Sequence, residues 1–547
     1  MHELDQVPFD VIVVGAGING AGIARDAALR GLRVLLVDKG DIGGGTTSAS
    51  TRLIHGGLRY LEHRELGLVR ESLRERERLL QIAAHLVRPL AFLIPIYAGD
   101  RRSPALIRLG MLAYDLLSFD KSLPRHRMLT PADALAREPG LAPGGLLGAA
   151  VYYDAQNEFP ERLAVENALS AHDHGAVVLT YHRAERLVVE QQRVVGVELR
   201  DAGAGASRPA RGAVTVNATG PWVDELLGGS ATLPGRRLIG GTKGTHIVVE
   251  PFQGAPASAL YVEAADGRPY FIVPWNDLYL IGTTDTRYHG DLDRPEPTDD
   301  EIAYLVRETN RVIPAADLSD DRVLYAYAGV RPLPDVETGA EGAITRRHVI
   351  HDHAPELDGL LSIVGGKLTT YRELAEQTVD IALSKLGRRA GPCRTAELHL
   401  PGAAPAQDDA YRRDFLAFSG LPEPVGRRLL RLYGGRAEDV LALILADPGL
   451  AEVFDPETHA VGAEVVHALE SELATTLADV LLRRTMVALG RSAGLGPDRT
   501  ATRIAGERFG WDQPRIDAEL AAFRSRMRVF RPRAERVAAT GSGGARP

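Results

Sequence analysis

The sequence predicts an α/β unit of the doubly wound kind at the N-terminus, continued by a strand-rich region and closed by an all-helical C-terminal part. Three observations predict it. Residues 10–37 read as strand, glycine turn, helix and strand; strand-like runs recur between 194 and 282; and beyond a Gly/Ala/Pro-rich stretch at 389–408, apolar residues repeat at helical spacing. A chain of 547 residues has room for several folding units, and 45% apolar with 25% charged residues is an ordinary globular composition.

Each element follows from its residues. Asp10–Val14 suits a buried parallel strand, Ile18–Arg30 a helix that stops at Gly31, and Arg33–Val37 a second strand. Leu66–Val87 predicts an amphipathic surface helix, with Val69, Leu73, Leu80, Ala83 and Val87 inward and Arg70, Glu71 and the run Arg74–Arg78 solvated. Ser103–Phe119 predicts a more apolar helix carrying Leu106, Ile107, Met111, Leu112, Leu116 and Leu117. Its rim of Arg101, Arg102, Lys121, Arg125 and Arg127 suits a membrane surface, although packing between domains weighs more. Strands are predicted at Val194–Leu199, Val214–Ala218, His246–Val249, Tyr270–Pro274 and Leu278–Gly282, the last two joined as a hairpin through Trp275, Asn276 and Asp277. Leu429, Leu430 and Leu432, then Val465, Leu469, Leu473, Leu477 and Leu481, mark C-terminal helices. Six arginines between Arg524 and Arg536 predict a frayed or surface-bound tail.

Composition excludes several functions. Lysine and arginine total 64 against 72 acidic residues, a net charge of -8, so no nucleic-acid partner is expected. The single Cys393 can form neither an internal disulfide nor a cysteine metal cluster; no metal is predicted, and a reducing cytoplasmic setting fits. The residues before the first strand carry Glu3 and Asp5 and do not read as a signal peptide. The most apolar stretch, Pro89–Ala98, is far shorter than the roughly 20 residues that cross a bilayer.

Gly15, Gly17 and Gly20 form GxGxxG between a strand and a helix. The spacing predicts a tight turn, a backbone approach to a pyrophosphate, and close packing of helix on strand. Asp38 ends the next strand, where an acid accepts ribose hydroxyls and disfavours a 2′-phosphate; NAD and FAD both fit this half. The segment that follows holds Thr46, Thr47, Ser48, Ser50, Thr51, Gly56 and Gly57 beside Arg52, His55, Arg59 and Tyr60. It reads as a wall for a second phosphate set and a planar ring, which favours a flavin. Ala218, Thr219 and Gly220 end a strand before Pro221, and Gly365, Gly366 and Lys367 open another strand-to-helix turn. The N–H groups of Lys367–Thr369 suit a polarised ring carbonyl.

The segments GAGINGAGIARDAALRG, TSASTRLIHGGLRYLE, NATGPWVDELL, GTKGTHIVV, IGTTDTRYHGD, YAGVRPL, AITRRHVI, GGKLTTYRELAE and ADVLLRRT resemble the FAD-dependent glycerol-3-phosphate dehydrogenases, in order along residues 10–490. The resemblance implies an α/β + α+β fold. A glutathione-reductase-like FAD-binding Rossmann domain would take 8–88, 150–235 and 325–388; an interleaved antiparallel-sheet substrate domain 89–149 and 236–324; a linker 389–408; an all-helical C-terminal domain 409–530; and a tail 531–547. It implies oxidation of sn-glycerol 3-phosphate to dihydroxyacetone phosphate by hydride transfer from C2 to flavin N5, with a quinone as electron acceptor. It also implies a homodimer and admits peripheral contact with the inner membrane surface.

Residue by residue, the resemblance assigns FAD contacts to Gly15, Gly17, Asn19, Gly20, Asp38, Lys39, Thr46, Thr47, Ser48, Ser50, Gly56, Gly57, Leu58, Ala218, Thr219, Gly220, Trp222, Gly366, Lys367, Leu368 and Thr369. Substrate contacts fall to Arg59, Tyr60, Arg346, Lys367 and Thr370, and catalytic roles to His55, His246 and Arg331. The chemistry of these types agrees: a phosphate monoester calls for fixed arginine forks, and loss of the C2 hydroxyl proton calls for a base such as histidine. The run Gly43–Gly44–Gly45 departs from the family pattern and bears on flavin attachment or loop order. Rival expectations are an oxygen-dependent glycerol-3-phosphate oxidase, a FAD-dependent amine oxidase without need of the cations, and a non-enzymatic flavin-binding partner.

Overall fold

A computed structural model describes residues 7–62, 64–203, 205–229, 237–336, 345–403 and 408–532. In chain order the elements begin β1 (Phe9–Val14), α1 (Ile18–Leu29), β2 (Val34–Val37), β3 (Leu53–Ile54), α2 (Leu66–Ile82), β4 (Val87–Tyr97), α3 (Pro104–Leu117), β5 (Arg127–Leu129), α4 (Pro131–Arg137), β6 (Leu146–Asn157) and α5 (Pro160–Asp173). They continue with β7 (Val177–Leu179), β8 (His182–Glu190), β9 (Arg193–Asp201), β10 (Ser207–Asn217), α6 (Val223–Gly228), β11 (Thr242–Val249), β12 (Ala259–Glu263), β13 (Pro269–Trp275), β14 (Leu278–Gly282), β15 (Thr286–Arg287), α7 (Asp299–Val312), β16 (Val323–Arg331), β17 (Val349–Asp352), β18 (Leu360–Val364) and α8 (Tyr371–Lys385).

Two sheets organise these elements. The first runs β17-β18-β10-β1-β2-β7, parallel except for its β17 edge, with β8 and β9 folded antiparallel onto the first half of β10. Val11, Ile12 and Val13 have no exposed surface, as a central parallel strand covered by helices requires. The second sheet runs β15-β11-β14-β13-β12-β4-β6-β3, with β16 on β11 and β5 on β6, and is almost wholly antiparallel. Residues 150–157 and 325–331, expected in the nucleotide domain, lie in this second sheet because β6 pairs with β4 and β16 with β11. The short β3 also belongs to it.

Beyond a strap at 389–403 come α9 (Asp409–Phe418), α10 (Glu423–Tyr433), α11 (Ala437–Ala446), the small ribbon β19 (Val453–Asp455) and β20 (Ala460–Val461), α12 (Gly462–Ser471), α13 (Leu477–Asp479), a π turn at Val480–Arg484, α14 (Pro497–Phe509) and α15 (Gln513–Val529). One apolar cluster runs from Phe92 and Tyr325 in the second sheet to Leu481, Phe523 and Met527 in this domain. The Ala326 N–H also donates to the Phe530 carbonyl at 2.8 Å.

Several expectations change. The predicted helix Leu66–Val87 ends at Ile82, and Val87 starts β4. Its charged face is largely enclosed, since Arg76 donates to Asp154 at 2.5 Å and Glu75 receives Arg372 at 2.6 Å, so α2 is wedged between the two sheets. Trp275 belongs to β13 and pairs with Leu278, leaving Asn276 and Asp277, at φ 52° and 57°, as the whole turn. The apolar periodicity 465–481 is broken at Leu473 (φ 59°), where the chain turns Glu472 inward to Arg162 at 2.6 and 2.8 Å. The 389–408 stretch is no loose linker where described: the Leu400 N–H donates to Ile82 O, and Arg25 donates to the carbonyls of Leu398 and His399. The expected arginine tail is helical through Val529, with Phe523 and Met527 fully buried; Arg533 and Arg536 lie outside the described residues.

Candidate active site

A cavity of about 1220 Å³ separates the two sheets and reaches the C-terminal domain, larger than an ordinary small-ligand pocket of roughly 300–1,000 Å³ and long enough to take a dinucleotide and a second molecule. Its dinucleotide end is set by local geometry. A Cβ on Gly20 would lie 1.8 Å from Gly15 O, so only glycine lets α1 close on the turn after β1. The Ile18 N–H at the start of α1 donates to Thr47 Oγ1 at 3.0 Å, and Thr46 Oγ1 donates to Val330 O at 2.7 Å, which pins the Gly-rich loop between the sheets. Asp38 receives the N–H groups of Ala16 and Gly40 at 2.7 and 2.8 Å; burial raises its pKa. Lys39 stands 4.2 Å from the centre of the Trp222 ring and pairs with Asp293.

The other end is cationic. The Lys367 ammonium sits 3.8 Å over the Tyr60 ring and donates to Ser72 Oγ at 3.0 Å, while the Tyr60 hydroxyl feels Arg346, Arg59 and Arg331. Arg331 and Arg346 are bridged by Asp285, at 2.9 and 3.1 Å, and Arg331 also donates to Thr283 Oγ1 and Thr284 O. A Cβ on Gly244 would come 2.1 Å from Arg331 Nη2, so this glycine makes the guanidinium's seat. Burial lowers Arg331 to about 10 and Lys367 to about 7. Two neutral imidazoles complete the end. His55 is brought down to about 4 by burial, with Lys367 adding to the shift and Asp154 opposing it. His246 is pushed well below its usual range by burial, stacks on Tyr327 at 5.0 Å, and shares a hydrogen bond with Thr51 Oγ1 at 2.9 Å.

Of the residues expected here, Gly20, Gly56 and Thr370 do not line the cavity. Gly20 is a packing glycine. The Gly56 N–H donates to Tyr114 Oη at 2.9 Å, and a Cβ there would strike Tyr114 and Leu73. Thr370 is 1% exposed at the N-terminus of α8. The other assigned residues line the one cavity. Sequence reasoning missed Asp285, the counter-ion of two arginines, although it stands within the TTDT segment. It also missed Arg483, Phe523, Arg526 and Phe530, which the C-terminal domain brings to the wall.

Residues 10–372 match the family model for FAD dependent oxidoreductases, and residues 393–516 that for the C-terminal domain of alpha-glycerophosphate oxidase. The glycerol-3-phosphate dehydrogenase of Synechocystis sp. is 46% identical over 96% of this chain and 97% of its own. The chain belongs to the FAD-dependent glycerol-3-phosphate dehydrogenase family. Another relative, the D-erythritol 1-phosphate dehydrogenase of Brucella abortus, is 38% identical over 87% of this chain and 94% of its own. The crystal structure of the glycerol-3-phosphate dehydrogenase from Bacillus halodurans, complexed with FAD, superposes with a TM-score of 0.79 at 29% identity, covering 96% of each chain.

The residues of this family member fit the cofactor of its family. Gly15 and Gly17 open the helix N-terminus to the cavity, Asp38 offers a carboxylate where a ribose would lie, and Gly366–Thr369 present a turn at the far end.

Proposed function

We propose that the protein oxidises sn-glycerol 3-phosphate at C2 to dihydroxyacetone phosphate and passes the electrons to a quinone. The observation that carries this reading is the gathering of Arg59, Arg331, Arg346 and Lys367 around Tyr60, next to His55, in the cavity that also holds the dinucleotide fingerprint. FAD, when bound, supplies the acceptor for the C2 hydride. The arginine forks and Lys367 bind the phosphate dianion, and Asp285 holds Arg331 and Arg346 in register for it. Neutral His55 accepts the C2 hydroxyl proton, and the neighbouring cations steady the oxygen it leaves behind. Phe271 and Tyr261, on the same wall, keep water from the reacting carbon.

The test is the absorption spectrum of purified protein followed by anaerobic addition of glycerol 3-phosphate. A flavin spectrum that bleaches is expected; one that persists overturns the reading. Erythritol 1-phosphate in parallel separates a longer polyol phosphate, which the Brucella relative brings into view, from glycerol 3-phosphate. Peroxide formed in air at the rate of turnover would replace the quinone by oxygen.

The proposal includes a cytoplasmic protein, homodimeric, resting on the inner membrane surface. What supports the last part is α3, which buries Ile107, Met111 and Tyr114 and leaves Leu106, Leu109, Leu112 and Leu116, with Phe119 beyond it, exposed by half or more. The expected basic rim is only partly available, because Arg102 pairs with Glu62 and Glu263 and Lys121 with Asp115. No helix among the described residues is long and apolar enough to cross a membrane. Leu109→Glu with Leu116→Glu is expected to lower co-sedimentation with anionic vesicles by about 100-fold while turnover with a soluble dye persists. Unchanged sedimentation removes α3 as the contact.

A further inference from the structure

The C-terminal domain sends two guanidinium groups into the cavity wall. Arg526 projects from the last turns of α15 and lines the cavity half-buried, and partial burial together with the nearby Arg483 lowers its pKa. Among the described residues no carboxylate forms an ion pair with Arg526, and its only hydrogen bond is a 3.5 Å contact to the carbonyl of Asp293. Arg483, from the π turn, donates through Nε to Asp41 at 2.5 Å and through Nη2 to Asp479 at 2.6 Å; no hydrogen bond among the described residues uses its Nη1.

The surrounding acids are already engaged. Asp41 takes a second, bidentate pair from Arg484 at 2.9 and 2.9 Å, Asp479 receives the N–H groups of Thr475 and Thr476, and Asp293 pairs with Lys39. That leaves the half-buried Arg526 guanidinium beside Arg483 with no carboxylate of its own among the described residues, so an anion in the cavity would balance it. Gly44, Gly45 and Thr46 line the same cavity, and the Gly44 N–H donates at 3.2 Å to the carbonyl of Asp41, whose carboxylate Arg483 holds.

We infer that Arg483 and Arg526 bind the pyrophosphate of the flavin dinucleotide, so that the helical C-terminal domain is a working part of the cofactor site rather than a separate appendage. The inference rests on the reading that FAD fills the cavity. It gives the domain a function that its packing alone does not: the Rossmann turn offers backbone N–H groups to one side of the diphosphate, and the C-terminal domain offers forks to the other.

The experiment titrates FAD into apoprotein of the full chain, followed by flavin fluorescence, for wild type, Arg526→Gln and Arg526→Lys. Arg526→Gln is expected to raise the FAD Kd about 10- to 100-fold and to flatten its salt dependence, with Arg526→Lys in between. Inorganic pyrophosphate should compete with FAD on the wild type and less on Arg526→Gln. Equal FAD affinity in all three proteins overturns the inference and leaves the flavin reading standing. If Arg526→Gln keeps its FAD affinity but loses thermal stabilisation by inorganic phosphate, the anion is a free phosphate and the inference falls as stated. A wild type that binds no FAD overturns both readings.

Discussion

The two ends of the cavity are built in opposite ways. The dinucleotide end is mostly backbone, drawn from Gly15, Gly17–Asn19, Asp38–Asp41 and Gly44–Thr47, and its decisive feature is a missing side chain at Gly20, behind the turn. The catalytic end is mostly side chain, drawn from His55, Arg59, Tyr60, His246, Asp285, Arg331, Arg346 and Lys367, and its decisive feature is a shared charge between Arg331, Arg346 and Asp285. A local turn is specified by local residues, whereas a cluster of like charges exists only because two sheets are clamped around it. The first end should therefore fail by losing shape, and the second by losing chemistry while the shape survives.

The largest expected effect is on the first end. Gly20→Val places a branched side chain against Gly15 O, where a Cβ already lies 1.8 Å away, and is expected to cost about 3 kcal/mol or more of stability along with the flavin. Thermal unfolding and flavin content of the purified variant check this; a variant that keeps its flavin and its melting temperature would show that the helix does not need to close on the strand. Arg331→Ala acts on the other end. It removes a fork and leaves Asp285 short of one partner, and a loss of about 100- to 1,000-fold in kcat/KM is expected with full flavin content. Loss of flavin together with activity would break the division between the two ends.

The smallest effect is a displacement in pH. His55 accepts a proton only while neutral, and burial lowers it to about 4 from the usual 6.5, so its neutral form persists until the pH falls toward 4. The acid limb of kcat/KM, which reports the free enzyme, is therefore expected about two units below that of an ordinary imidazole. Lys367 works with the opposite sign. It is lowered to about 7, is a cation below that pH, and loses its charge above it, so KM for the phosphate substrate is expected to rise through neutral pH. An acid limb at an ordinary imidazole value would remove His55 as the base; a KM flat across neutrality would remove Lys367 from the phosphate site.

The same contrast explains what was legible beforehand. Gly15, Gly17 and Asp38 announce themselves by spacing, and His55, Arg331 and Lys367 by the segments around them, because each lies in a short run with its own turn chemistry. Thr370 stands next to Thr369 in the chain, yet of the two only Thr369 lines the cavity, a difference that packing at the start of α8 makes and a short run of residues does not show. The charged face of α2 was misjudged for a related reason: Glu75 and Arg76 look solvated until Arg372 and Asp154, far away in the chain, close over them.

The sequence by itself determined the nucleotide turn, the succession of strand-rich and helical regions, and the types of residue at the site, since backbone freedom and periodicity are properties of neighbours. Only the tertiary structure decided that β6 and β16 join the second sheet, that Asp285 stands between Arg331 and Arg346, and that Arg483 and Arg526 reach the cavity wall from the C-terminal domain. Each of these joins residues tens to hundreds of positions apart, and which distant groups share a buried charge is settled by how the domains pack, not by any local run.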